Sequence, residues 1–163
     1  MIKITLPDGS IREYESGVNA IDVAKSISEG LARNVLSAKI NDQVMDAFHP
    51  ITEDSNIQLL TWNDEEGKNT MWHSSAHLLA EALEDIYPGI KLGIGPPIEN
   101  GFYYDVDAGD RVISSEDLPS IEKKMLELVR QKNNFIRKEI SKADAVKIYQ
   151  DKGDEYKFCL LYT

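Results

Sequence analysis

Residues 70–87 read Thr70-Met-Trp-His-Ser-Ser-Ala-His-Leu-Leu-Ala-Glu-Ala-Leu-Glu-Asp-Ile-Tyr87, and Pro88-Gly89 follows. Thr70 is placed to cap a helix that the Pro-Gly pair then stops. Ala76, Leu79, Ala80 and Leu83 recur at i, i+3, i+4 and i+7, one apolar stripe at helical period. His73 and His77 stand four residues apart, so both leave the same side of the helix one turn from each other. Nothing else in the chain looks chemical. Spacing alone leaves three readings open for such a pair: packing at an interface, metal ligation, or holding a water for hydrolysis. A metalloprotease helix carries Glu directly after its first His, and Ser74 stands there instead. The only other histidine is His49, so a full set of zinc ligands requires acids.

Upstream of this helix the sequence reads as a small module. Ile2, Ile4 and Leu6 alternate with polar residues, Pro7-Asp-Gly-Ser10 turns the chain, and Ile11-Arg-Glu-Tyr14 returns. Asn19 is expected to cap a short helix with Ile21, Val23, Ala24 and Ile27 inward, ending at Gly30. A second β pair is expected near Leu36–Ile40 and Gln43–Met45, turned at Asn41-Asp42, with a last strand over Ile57–Leu60. Hairpin, helix and further strands within sixty residues form an α+β pattern of β-grasp type. The polar stretch Asn63-Asp-Glu-Glu-Gly-Lys68 reads as a linker.

Downstream comes Lys91-Leu-Gly-Ile-Gly-Pro-Pro-Ile-Glu-Asn-Gly-Phe-Tyr-Tyr-Asp-Val-Asp107, two β arms around Glu99-Asn-Gly101. Gly93 and Gly95 within one arm imply close approach by another backbone or a ligand. A long helix is expected over residues 115–133, capped by Ser115, with Ile121, Met125, Leu128 and Val129 inward. A strand over Phe135–Ile140 and a helix from Ser141 to Tyr149 follow. Tyr103 and Tyr104, adjacent on a strand, face opposite ways. Lys157 by pattern is a solvated lysine, and Cys159 a small buried hydrophobe. The closing run Tyr156-Lys-Phe-Cys-Leu-Leu-Tyr-Thr163 reads as a buried strand that stops in mid-element, so the chain reads as cut.

Composition bounds the function. Of 163 residues, 42% are apolar and 28% charged, which is globular rather than disordered or membrane-like. No apolar stretch reaches the 18 or so residues of a membrane span. One cysteine rules out an internal disulfide framework and fits a reducing, cytoplasmic setting. Through Thr61 there are 5 basic and 9 acidic residues, and beyond it 13 and 19, for a net charge of −10. Neither half has the basic surface that gives strong nucleic-acid affinity unaided. There is no Walker-type phosphate loop and no Rossmann glycine fingerprint.

Taken together, His73-Ser-Ser-Ala-His77-Leu-Leu and Gly93-Ile-Gly-Pro-Pro-Ile-Glu-Asn-Gly-Phe-Tyr-Tyr-Asp-Val-Asp107 closely resemble the N-terminal region of bacterial threonyl-tRNA synthetases. The opening Ile-Thr-Leu-Pro-Asp-Gly-Ser10 resembles the TGS domain that starts those enzymes. The resemblance implies an α+β chain: a TGS-like β-grasp domain at 1–61, then a truncated editing domain of the threonyl/alanyl-tRNA synthetase type at 65–163. It also implies a parent that joins threonine to tRNA(Thr) with ATP, and a region that hydrolyses mischarged seryl-tRNA(Thr). His73 and His77 match the family's two histidines, and Tyr104 and Lys157 fall where the family places substrate contacts. No cofactor is expected for this region; ATP, magnesium and zinc belong to the parent's synthetic core. The expected partner is tRNA(Thr) bearing serine, in a parent that dimerises through that core, with no membrane involved. In the family a Cys-x-x-x-His element completes the pocket downstream; Cys159 has Thr163, not histidine, four residues on, and does not take that role. The rival expectation is a binding or regulatory TGS module with a structural histidine helix.

Overall fold

The computed structural model describes residues 1–133, 136 and 138–162. It divides into two compact units, Met1–Trp72 and His73–Thr163, and is an α+β structure.

The first unit is a five-stranded mixed sheet. Strands β1 (Ile2–Thr5), β2 (Ile11–Tyr14), β3 (Ser37–Ile40), β4 (Gln43–Asp46) and β5 (Ser55–Leu60) lie in the order β2-β1-β5-β3-β4. The hairpins β1–β2 and β3–β4 are antiparallel, whereas β1 and β5 run parallel at the centre, with Ile4 opposite Ser55. Local chemistry sets the turns. Asp8 accepts from the Ser10 N–H and hydroxyl, and Gly9 takes a φ of 81°. Asn41 and Asp42 both have positive φ, the two-residue turn whose twist matches the strands it joins. The Asn19 side chain accepts from the Asp22 N–H and opens helix α1 (Ala20–Ile27). Ser28 then ends that helix and caps the next, α2 (Glu29–Ala32), by accepting from the Leu31 N–H. The chain expected to stay helical to Gly30 is therefore two short helices. Ile2, Ile4 and Leu6 from one strand face meet Ala20 and Val23 from α1, and Ile51 and Ile57 close the core. Ile27, expected inside, is exposed.

Helix α3 (Glu65–Ile86) begins five residues before Thr70. Residues 65–68, which read as linker, are its first turn, and Thr70 is an interior residue whose hydroxyl donates to the Glu66 carbonyl. Asp64 holds the entry instead, accepting from the Thr61 N–H and hydroxyl. Gly67 packs directly on the Thr61 backbone: a Cβ there would lie 2.0 Å from the Thr61 carbonyl oxygen. Lys39 on β3 pairs with Glu66, and Trp62 meets Trp72 edge to face at 5.3 Å.

In the second unit, Ala76, Ala80 and Leu83 of the expected stripe are buried, Leu79 is half-buried, and Ala82, off the stripe, is buried as well. Leu83 and Tyr87 pack with Ile121 of α4 (Leu118–Gln131), and Lys124 pairs with Asp85 at 3.1 Å. Helix α4 starts at Leu118, not near Ser115, because Asp117 accepts from the Ser114 N–H and hydroxyl and Pro119 occupies the first turn. Val129, expected inward, is 56% exposed. The two β arms form β6 (Lys91–Leu92) with β9 (Val106–Asp107) and β7 (Pro97–Ile98) with β8 (Gly101–Phe102), both antiparallel. Ile98 lies opposite Gly101, so Glu99-Asn100 is the turn. The strand expected over 135–140 falls partly on residues 135 and 137, outside the described residues, and 136 and 138–140 are irregular. Ser141 caps α5 (Lys142–Asp151) as expected. The closing apolar run is a helix, α6 (Glu155–Tyr162), not a strand. Asp154 fixes its start by accepting from the Lys157 N–H. Cys159, expected buried, is exposed.

Candidate functional site

His73 and His77 are exposed on α3, at the edge of the buried alanine and leucine stripe, and His77 lines the same cavity as Ala80. Their Nε2 atoms are 3.1 Å apart and their rings meet edge to face, with centroids 4.7 Å apart. At that distance one ring donates its Nε2–H to the unprotonated Nε2 of the other, so the pair does not bond when both rings are imidazolium. His77 is held below the ordinary imidazole range, first by desolvation, then by the neighbouring His73 and the Lys157 ammonium. Near neutral pH it is therefore an uncharged imidazole able to accept a proton.

His77 opens onto a cavity of about 820 Å3, whose other walls include Tyr104, Lys157, Tyr149 and Lys152. Lys157 reaches it from the first turn of α6. Its Nζ donates to the Gly93 carbonyl at 2.7 Å and lies 3.5 Å from the Tyr104 hydroxyl. The lysine that reads from pattern as solvated is thus half-buried and held in place. Tyr104 is half-buried and Tyr103 is 48% exposed, and both lie between β8 and β9 rather than on the strand expected for them. Of the four residues singled out, the structure brings His77, Tyr104 and Lys157 around one cavity, with His73 bonded to His77.

Two supports escaped the sequence reading. The Gly93 carbonyl, 64 residues before Lys157, is the main acceptor for its ammonium. Alongside it, the Tyr156 hydroxyl donates to Asp107 at 3.0 Å, and Lys91 pairs with Glu155 at 3.5 Å, so α6 is tied to the β6–β9 ribbon. The Gly93-Ile-Gly95 pattern, which signals close approach, was the available clue, and both glycines do meet the returning arm. Among the described residues no cluster of three or more His, Cys, Asp or Glu side chains is placed to hold a metal ion. Nor, among them, is any helix long and apolar enough to cross a membrane.

Comparison with known proteins shows which sequences the chain is similar to. Residues 2–61 match the family model described as TGS domain. The chain is 68% identical over 161 residues to a threonine--tRNA ligase of Cytophaga hutchinsonii, covering 99% of this chain and 25% of that protein. It is 58% identical to the threonine--tRNA ligase of Parabacteroides distasonis, over 96% of this chain and 24% of the other. For that of Flavobacterium psychrophilum the identity is 53%, over 99% and 24%. The chain spans about a quarter of the length of the curated relatives it matches. By these matches residues 2–61 form a TGS domain, and the chain corresponds to the N-terminal region of threonine--tRNA ligases.

Proposed function

We propose that this chain is the proofreading region of a threonine--tRNA ligase: its second unit contributes to hydrolysis of serine wrongly esterified to tRNA(Thr). The observation that carries the reading is His77, neutral at physiological pH and hydrogen-bonded to His73, opening onto a cavity that the Lys157 ammonium also lines. The need for such a site follows from the substrates. Serine lacks one methyl of threonine, and a pocket built for the larger side chain rejects the smaller only about 10- to 200-fold. A second, hydrolytic site supplies the remaining discrimination.

In the proposed reaction a water oxygen bonds to the seryl carbonyl carbon, and the bond from that carbon to the ribose oxygen breaks. An imidazole of the pair takes the proton from the attacking water, and the ribose oxygen leaves with a proton. His73 contacts the ribose hydroxyl or holds the water, and His77 completes that network. The Lys157 ammonium, braced by the Gly93 carbonyl, offsets negative charge developing on the carbonyl oxygen. Tyr104 shapes the wall on which the seryl group rests. In this reading the parent attaches threonine to tRNA(Thr) with ATP through a core outside these residues, and the acidic balance of this region leaves most tRNA affinity to that core.

The test is deacylation of seryl-tRNA(Thr) by this chain, and by the chain continued into the sequence of its 68% identical relative. His73→Ala is expected to lower the rate at least 100-fold, the scale of general acid–base contributions. An unchanged rate removes His73 from the mechanism, and an unchanged rate in His77→Ala as well removes the pair.

A further inference from the structure

Gly93 and Gly95 lie on one arm of the β ribbon, and Tyr104 and Asp105 lie on the other. The arms are joined by the Gly93 N–H donating to the Asp105 carbonyl at 2.8 Å and the Asp105 N–H donating to the Ile94 carbonyl at 3.0 Å. A Cβ built on Gly93 would sit 3.1 Å from both the Cβ and the carbonyl oxygen of Asp105. One built on Gly95 would sit 2.4 and 2.6 Å from Cδ2 and Cε2 of the Tyr104 ring, well inside van der Waals contact. The ring therefore occupies the volume that any other residue at 95 would fill. That ring also carries Lys157, whose Nζ is 5.8 Å from its centroid and 3.5 Å from its hydroxyl, while the Gly93 carbonyl takes the ammonium's shortest hydrogen bond.

We infer that Gly95 is a positioning residue for the proposed hydrolysis: by leaving room for the Tyr104 ring it sets where the Lys157 ammonium stands in the cavity that His77 opens on. Gly95 touches no reacting atom in this arrangement; it acts through Tyr104. The inference rests on the proofreading reading for its chemistry, but its geometry can be measured without any turnover. A displaced ring loses its contact with the ammonium, and the ammonium is then held by the Gly93 carbonyl alone. His77 is a convenient reporter. The groups around it are His73 on its own helix, Lys157 from α6, and the cavity's other charges, Glu81, Glu84, Lys91, Lys152 and Asp154. Of these, His73 and Lys157 are the ones that depress its titration, so moving Lys157 away raises it.

The experiment is an NMR titration of the imidazole protons of His73 and His77 in the full chain. It compares the unaltered protein with Gly95→Ala, Lys157→Met and the double variant. Lys157→Met is expected to raise the His77 midpoint, and Gly95→Ala to raise it in the same direction by a smaller amount, since the Gly93 carbonyl still holds the ammonium. In the double variant Gly95→Ala should add little, since its effect runs through a lysine already removed. Additive shifts, or no shift in Gly95→Ala, would overturn the inference. If Gly95→Ala does not fold, Tyr104→Leu removes the ring without adding a Cβ at 95. The same rise, again absent on the Lys157→Met background, supports the inference, and an unmoved midpoint refutes it. Seryl-tRNA(Thr) hydrolysis measured alongside keeps the two ideas apart. Loss of the reading shows as His73→Ala and His77→Ala both leaving hydrolysis unchanged, whatever the titrations do, whereas loss of this inference shows only in the titrations.

Discussion

Ile4 gives the most demanding test of the packing argument. Its side chain has no solvent contact, on a strand bonded on one side to β2 and on the other to β5. Ile4→Ala removes three carbons, about 2.4 kcal/mol at ~0.8 kcal/mol per buried methylene. Its neighbours Val23, Ala38 and Ile57 are themselves sealed, and β1 is fixed by both ladders, so the hole closes little. Residual cavity volume adds about 24 cal/mol per Å3, which brings the expected loss to roughly 3–4 kcal/mol. Ile4→Val removes one carbon and is expected to cost about 0.5–1.5 kcal/mol. Both tryptophans, Trp62 and Trp72, lie in the same unit as Ile4, so fluorescence during urea unfolding reports on the right core. With an m-value of about 1 kcal/mol/M, the midpoint should fall by ~1 M for valine and ~3 M for alanine. An alanine variant that loses no more than the valine variant, at unchanged m, would show that the sheet relaxes into the hole and that this account of the core is wrong.

Other outcomes follow from features already described. The folded-state pKa of His77 lies below its unfolded value of about 6.5, so the unfolded chain binds the extra proton first as the solution is acidified. The contribution is complete above pH ~6.5 and is lost as pH falls through the folded pKa. His77→Gln should therefore show a smaller drop in urea midpoint between pH 7.5 and 5.5 than the unaltered chain, and an equal drop would refute the assignment. Gly67→Ala should destabilise the first unit despite a helix propensity gain of up to ~1 kcal/mol, because the new Cβ overlaps the Thr61 carbonyl. A raised melting temperature in that variant would mean that the helix entry is free to shift.

How much was legible in the sequence follows from how local each signal was. The β-grasp unit rests on short-range cues that agree: alternation at Ile2, Ile4 and Leu6, a cap at Asn19, and a turn at Asn41-Asp42. The histidine pair needed only helical spacing. The start of α3 was hidden because residues 63–68 are polar and include Gly67, whose role is packing on Thr61 rather than flexibility. The last helix was misread because an apolar run without period outweighed Asp154, a cap three residues before Lys157 that was there to be read. Within the site, Lys157 reads as a surface residue because the carbonyl that binds it lies 64 positions away, a partnership no local pattern encodes.

The bond between the rings of residues 73 and 77 has a bearing on enzymology. Beside desolvation, His73 helps to hold His77 below the ordinary imidazole range, and the two rings share a hydrogen bond, so replacing the first changes the surroundings of the second. Replacing one ring should therefore reshape the acid limb through the survivor as well as lower the plateau. Kinetic work on the two positions needs the complete profile for each variant, since a rate at one fixed pH would assign to the missing ring a change that its neighbour made.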